Sequence, residues 1–344
     1  MKTADQDSSQ AIRPRVCAIF PGALGDFICF LPALQSLAMV ARVDLFARSE
    51  FAALVPPGVA VHSLERAAIR MLFVDDESSS DEVGRFFDNY AAVYSWLGNG
   101  REPFVQRLHQ AAPGRTQIFP FAPRRAQHRA DYYLGCLNEI AHGDRLPRVE
   151  PTCEGAEWCE DFFARHGISR RPILAIAPGS GAREKNWPEV FFLKVAEWWR
   201  NEFGGATVAI VGPVEEERGG VERLLHACVA ARGLTLVQAA ALVRRSCVYL
   251  GNDSGLSHLA AATGARAVVL FGPSDPAEWA PRGERVQVLS RRIACSPCAE
   301  PVMKACSHRA CLTAFDPDEV LGILARLPEV VTLTRFKPGI RVSL

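Results

Sequence analysis

The chain has 344 residues, 49% hydrophobic and 22% charged, which excludes a disordered or fibrous protein and leaves room for two domains with separate cores. Lys and Arg number 39 against 38 Asp and Glu, so the net charge is +1 and no global field points to nucleic acid or an anionic surface. The 11 cysteines sit mostly singly in apolar runs, as Cys17, Cys29, Cys228 and Cys247 do, and read as small reduced hydrophobes.

The N-terminal stretch MKTADQDSSQAIRPR has no apolar signal-peptide region and reads as a tail over residues 1–15, so the expectation is a cytoplasmic protein. The apolar run Phe27–Ala41 is interrupted by Pro32, Gln35 and Ser36, and falls short of the roughly 20 residues of a spanning helix. RVCAIFPGALGDFICFLPALQSLAMVA reads as strand, glycine turn and helix, and VDLFAR as the next strand. DDESSSDE, Asp75–Glu82, reads as a solvated loop, and AAVYSWLG and TQIFPFAP as weaker strands. Between Pro103 and Ala130 lie Arg107, Arg115, Arg124, Arg125 and Arg129 with no acid, either a solvated face or a hold on an anionic acceptor. Pro and charge cluster in Arg145–Gly155, which sets a domain boundary: residues 16–150, then 151–327, with 328–344 as a tail crossing back onto the first domain.

The second half repeats one grammar of buried strand, polar turn and helix: PILAIAPGSG with Pro188–Arg200, TVAIVGPVEEER, LTLVQAAALVRRS, CVYLGNDSGLSHLAAATGA and RAVVLFGPSDP. A last helix is expected over Asp316–Leu327. Continuous β-branched runs alternating with helices predict a parallel sheet covered on both faces, hence a doubly wound α/β domain. The first half opens the same way, so the expectation is two Rossmann-like domains facing across a cleft. In such sheets ligands sit beyond the carboxyl ends of the strands.

The turns therefore carry the candidate chemistry. In ILAIAPGSGAREKNWPEVFFL, Gly179 and Gly181 let amides approach an anion, Ser180 adds a hydroxyl and Lys185 a mobile cation, a set suited to phosphate. The plainer alternative is a tight turn with a solvated lysine. No G-x-x-x-x-G-K-[ST] or G-x-G-x-x-G occurs, which excludes a P-loop and a dinucleotide fingerprint. In GNDSGLSH, the amides of Ser254, Gly255 and Leu256 suit a second phosphate, although capping alone explains Asp253 and Ser254. His258, one turn on, is a site residue or a packed one. In GPVEEER, Glu215, Glu216 and Glu217 favour the helix dipole, and one of them suits a ribose diol. Asp26 in FPGALGDF is an N-cap or a general base for an attacking hydroxyl. Cys295, Cys298, Cys306 and Cys311 begin with metal-ligand spacing, but their second half departs from the common zinc-ribbon pattern. The D-x-D pairs Asp5–Asp7 and Asp316–Asp318 fall in the tail and at a helix start, so no divalent ion is implied.

Together, GALGDFICFLPAL, PGSGAREKNWP and GNDSGLSHLAAATGARAVVLFGPSDPAEWAP resemble the motifs of glycosyltransferase family 9, the heptosyltransferases of lipopolysaccharide inner-core assembly, from Pro21 to about Leu321. The resemblance implies a GT-B fold and inverting, metal-independent transfer of a heptose from an ADP-sugar, with no cofactor, to a hydroxyl of a lipopolysaccharide core or similar lipid-linked glycan, in peripheral contact with the inner membrane. By the same resemblance Asp26 is the base and Lys185 holds the diphosphate. Ser180 and Gly181 form a phosphate turn, Asp253, Ser254, Gly255 and Leu256 another, and Glu215 grips the ribose. His258 is the motif's histidine. Apart from the resemblance, Gly22 and Gly25 beside Asp26, and Arg124, Arg125 and Arg129 of the acid-free run, are the candidates for the acceptor. GLSH resembles the first heptosyltransferase of the pathway, whereas PGSG is closer to the rest of the family. The alternatives are a nucleotide-sugar epimerase of the same fold and a catalytically inactive nucleotide-sugar-binding partner.

Overall fold

The computed structural model describes residues 13–74, 80–137 and 144–335. The chain divides into two compact units: Met1–Pro21, Ala33–Ala122 and Cys136–Gly143 form the first, and Gly22–Pro32, Pro123–Gly135 and Asp144–Leu344 the second. The sequence reading assigns Gly22–Pro32 and Pro123–Gly135 to the first domain; both group instead with the second.

The first unit holds a five-stranded parallel sheet in the order β3-β2-β1-β4-β5, with β1 Arg15–Ile19, β2 Arg42–Ala47, β3 Val59–Ser63, β4 Ala92–Ser95 and β5 Thr116–Ile118. The second holds six parallel strands in the order β11-β10-β9-β6-β7-β8: β6 Ile173–Ala177, β7 Ala206–Val211, β8 Val229–Arg232, β9 Val248–Asn252, β10 Ala267–Phe271 and β11 Val286–Ser290. Strands β6, β7, β9 and β10 are buried along their whole length, the condition of a parallel sheet with both faces covered. The strand period of two divides β6 between two cores. Leu174 and Ile176 pack with Trp187, Trp199 and Phe315, while Ile173 and Ala175 pack with Phe162, Phe163 and Tyr249. The order reverses between β6 and β9, so the turns after these two strands meet at the switch point where such sheets bind ligands.

Some expectations change. The strand read in LTLVQ lies upstream, at β8, because Thr235 and Gln238 form a capping box that starts the helix Leu236–Arg245 (Gln238 N to Thr235 Oγ1, 3.3 Å; Thr235 N to Gln238 Oε1, 3.0 Å). Edge strands β3 and β11 are only partly buried, which is why their apolar signal is faint. Ser80–Phe87 is a helix with Asp81 and Glu82 in its first turn, where acids favour the dipole, and 75–79 of the expected loop lie outside the described residues. Pro328–Arg335 of the expected tail is helical, and Glu329 there pairs with Arg266 and Arg285 of the second unit. Residues 1–12 and 336–344 of the two expected tails lie outside the described residues. Among the described residues no helix is long and apolar enough to cross a membrane.

Packing around the fully buried Trp199 is tight: its Nε1 donates to Pro172 O at 3.0 Å, and a Cβ on Gly205 would fall 2.2 Å from that Nε1. Gly205→Ala is therefore expected to lower the unfolding free energy by about 1–3 kcal/mol, since a buried indole has nowhere to move, and urea denaturation measures it.

Candidate functional site

A buried amide organises the site. Asn252, at the carboxyl end of β9, is fully buried; its Oδ1 accepts from Trp187 N at 2.9 Å and its Nδ2 donates to Pro178 O at 2.8 Å. It thus clamps both ends of the turn that follows β6. Lys185, inside that turn, reaches Asp253 Oδ2 with Nζ at 2.8 Å, the lysine partly exposed and the aspartate nearly buried. Ser254 caps the helix Gly255–Ala262 by accepting from Ser257 N, so the first amides of that helix remain available to a ligand. Lys185, Asp253 and this helix start are one cluster.

Ser180 is buried, and its Oγ lies 2.6 Å from Ala182 O and 2.7 Å from Asn186 Oδ1, both acceptors for its single proton. The hydroxyl shapes its own loop; what the loop offers a phosphate is backbone amide. Glu215, in the helix Pro213–Arg218, accepts from Gly212 N through Oε2 at 2.9 Å. Its Oε1 lies across Gly179, where a Cβ would come within 1.9 Å. One carboxylate oxygen therefore caps the helix and the other borders a pocket shared with Ser180, Arg183, Arg218 and Arg309.

Asp26 stands in the first turn of the helix Leu24–Val40, where Oδ2 accepts from Ala23 N at 3.3 Å. Its turn packs directly on the helix Gly255–Ala262: a Cβ on Gly255 would meet Leu24 Cβ at 3.0 Å and Gly25 N at 3.1 Å, so a side chain here would push the turn back by a few tenths of an ångström. Gly25 in turn faces the His258 ring. Burial pushes the Cys29 thiol up to about 12, with Asp26 and Asp253 adding to the rise and Arg282 and Arg129 opposing it. The buried thiol therefore feels all four charged groups. Burial pulls His258 down to about 4, so its ring is neutral at physiological pH.

Arg124 and Arg125 are exposed. Arg129 lies with its guanidinium carbon 4.5 Å from the Trp279 ring centroid, and its Nε is buried with no hydrogen-bond partner among the described residues. Beside it, Asp131 binds Arg282 through two bonds, 2.7 and 2.6 Å, and His128 Nε2 lies 2.9 Å from Ala280 O. These contacts explain why Pro123–Gly135 belongs to the second unit. Arg129 and Lys185 line one pocket, with Asp275, Glu278 and Trp279. Gly22 and Gly25 flank the Asp26 turn. Cys298 Sγ donates to Cys295 O, Cys306 Sγ accepts from Arg309 N, and Cys311 is buried. Among the described residues no group of three or more His, Cys, Asp or Glu is arranged to hold a metal ion. Asp316 caps its helix by accepting from Asp318 N. Sequence reasoning passed over Asn252, Trp279 and Cys29. The first two stand inside quoted motifs, while Cys29 carries no signal beyond its apolar run.

Two outcomes follow from this geometry. Gly179→Ala is expected to displace Glu215 from its bond to Gly212 N and to lower the unfolding free energy by about 1–3 kcal/mol, which urea denaturation measures. His258 ordinarily titrates near 6.5 but near 4 when folded, so between these values only the unfolded chain binds its proton. This contribution is complete above pH 6.5 and falls away toward pH 4, by about 3 kcal/mol in all. Urea midpoints at pH 7 and pH 4.5 should therefore drop further for the wild type than for His258→Gln.

Comparison with known proteins fits this geometry. The sequence model of glycosyltransferase family 9 (heptosyltransferase) matches residues 141–307. Lipooligosaccharide heptosyltransferase 2 of Haemophilus influenzae is 30% identical over 165 residues, 44% of this chain and 47% of that protein, so the match spans about half of the relative's length. Among solved structures, a family 9 glycosyl transferase from Veillonella parvula superposes with a TM-score of 0.73 at 21% identity, over 94% of this chain and 97% of that one. The ADP-heptose lps heptosyltransferase II of E. coli gives 0.64 at 18% identity, over 93% and 98%. These likenesses establish the fold, GT-B with two parallel-sheet α/β domains. In its matched segment, and in the relatives that share it, the chain is similar to glycosyltransferase family 9.

Proposed function

We propose that the protein is an inverting, metal-independent glycosyltransferase that moves a heptose from an ADP-sugar to a hydroxyl of a lipopolysaccharide core or similar lipid-linked glycan. The observation that carries the reading is the packing of the Asp26 turn on the Lys185–Asp253–Ser254 cluster, with Gly25 and Gly255 in contact. That closeness of a carboxylate to a helix start supports reading the one as proton acceptor and the other as anion site. Relatives named as heptosyltransferases, one of them an ADP-heptose lps heptosyltransferase, support the choice of donor.

In this reading Asp26 takes the proton of the acceptor hydroxyl as its oxygen bonds to the anomeric carbon. The bond from that carbon to the phosphate oxygen breaks, and its electron pair leaves with the nucleoside diphosphate. Lys185 and the amides of Ser254, Gly255 and Leu256 meet the charge that develops there. Positive charge at that point comes from a lysine and a helix dipole, the task a divalent ion performs in other transferases. Glu215 holds the ribose through its uncapped oxygen, and Gly181 gives the phosphates room. The exposed Arg124 and Arg125, with Arg129 behind them, suit an anionic lipid-linked acceptor met by a cytoplasmic enzyme at the inner membrane.

Thermal unfolding with ADP, UDP and GDP, without added metal, tests the donor. ADP alone should stabilise the protein, by about 2.7 kcal/mol at a hundred times its Kd. Equal responses to all three, or none, would sink the ADP-sugar assignment. With ADP-heptose and an acceptor core, Asp26→Asn should cost about 100- to 10,000-fold in transfer while leaving the ADP response intact. Near-normal turnover in that variant would remove Asp26 from the mechanism.

A further inference from the structure

The mechanism leaves one buried pair unused. His258 is 3% exposed and Cys29 4%, and the cysteine Sγ lies 3.7 Å from the His258 Nδ1. Cys29 stands one turn beyond Asp26 on the helix Leu24–Val40, and His258 stands one turn into the helix Gly255–Ala262, so the contact joins the two helix starts of the site. Among the described residues no other hydrogen-bond partner of the ring is found. Its opposite edge lies against the Asp26 turn: a Cβ on Gly25 would be 3.5 Å from His258 Cδ2 and 3.8 Å from Nε2.

A neutral imidazole carries its proton on one nitrogen, and the partner of the other nitrogen decides which. The charges facing the ring are Asp253, which favours protonation, and His128 and Lys185, which oppose it; burial outweighs them all, and the ring stays neutral. The thiol stays protonated for the same reason, with Asp26 reinforcing burial. A protonated thiol and a neutral ring can meet as S–H to Nδ1, or as Nδ1–H to sulfur. Ring nitrogen is a good acceptor and thiol sulfur a weak one, so the first arrangement prevails.

We propose that Cys29 is a positioning residue: its thiol donates to Nδ1 and holds His258 as the Nε2–H tautomer, which presents a hydrogen-bond donor to a phosphate oxygen of the nucleoside diphosphate. This rests on the glycosyltransferase reading for its ligand, but not for the tautomer itself. An imidazolium beside Lys185 would oppose that cation. An Nε2–H donor adds a hydrogen bond to the leaving group without a second charge.

The test is long-range proton–nitrogen correlation spectroscopy of the full chain labelled with nitrogen-15 histidine, at pH 7, with the His258 ring assigned from its loss in His258→Gln. The wild type without ligand should show a pyrrole-type Nε2 and a pyridine-type Nδ1, and ADP should shift Nε2. Cys29→Val, close in size but without a donor, should mix the tautomers and lower kcat about tenfold, while Cys29→Ser recovers both in part. If Cys29→Val does not fold, Cys29→Ala removes the donor equally. His258→Gln, which keeps an N–H near the Nε2 position, should outperform His258→Asn. An Nδ1–H ring in the wild type, a ring indifferent to Cys29→Val, or an Nε2 indifferent to ADP overturns the proposal. Lack of transfer by a wild type whose spectra behave as expected would count against the glycosyltransferase reading alone.

Discussion

A buried carboxamide has donors and an acceptor to satisfy and no water to satisfy them, and Asn252 does so by holding two segments 65 and 74 residues away in sequence. Its oxygen takes the Trp187 amide and its nitrogen takes the Pro178 carbonyl, so the eight-residue turn between them is fixed at both ends. Its own carbonyl is held by Ser257 Oγ, which also lies 2.9 Å from the buried Tyr249 hydroxyl. The same residue thus fixes the donor turn after β6 and the helix start after β9. Lys185 meets Asp253 because this clamp leaves it little freedom to do otherwise. Breaking the clamp leaves a buried amide and a buried carbonyl without partners, each a loss of about 1–3 kcal/mol.

Around this clamp, charge is sparing. The Lys185–Asp253 pair is the cluster's ion pair, and two neighbouring titratable groups are held neutral by burial: Cys29 as a thiol, His258 as an imidazole. Low polarity strengthens a lysine that is otherwise half-neutralised by its aspartate. A nucleoside diphosphate arriving there would compete with Asp253 for the ammonium and gain the helix amides as well. The pair is then a resting state, in which the lysine is oriented before the ligand arrives and the buried carboxylate is never left uncompensated.

The sheet of the second unit was legible because four of its strands are buried on both faces, and such strands are predominantly apolar runs. The failures have equally local causes. A capping box moved a helix start into LTLVQ, two acids favoured a helix in place of a loop, and edge strands β3 and β11 lacked an apolar face to announce them. The chemistry-bearing turns were legible as motifs, but not the division of labour within them. Nothing in PGSG says that Ser180 spends its hydroxyl on its own loop, and nothing in GND distinguishes the clamp from the ion-pair partner. Cys29 was illegible for a simpler reason: a cysteine in an apolar run looks the same whether it touches leucine or imidazole.

That division of labour bears on a choice the sequence poses repeatedly, between a capping residue and a ligand-binding one. In this site the two roles belong to different atoms of one residue. Glu215 caps with Oε2 while Oε1 lies across Gly179; Ser254 caps with its hydroxyl, which leaves the other first-turn amides to a ligand. Capping is what makes the second role dependable, because a carboxylate anchored through one oxygen loses little further entropy when the other engages a ligand. Asp26 follows the same rule, with Oδ2 tied to Ala23 N and the carboxylate held at the head of its helix. A residue that satisfies its own backbone first arrives at the ligand already oriented, so evidence for the cap is no evidence against the site.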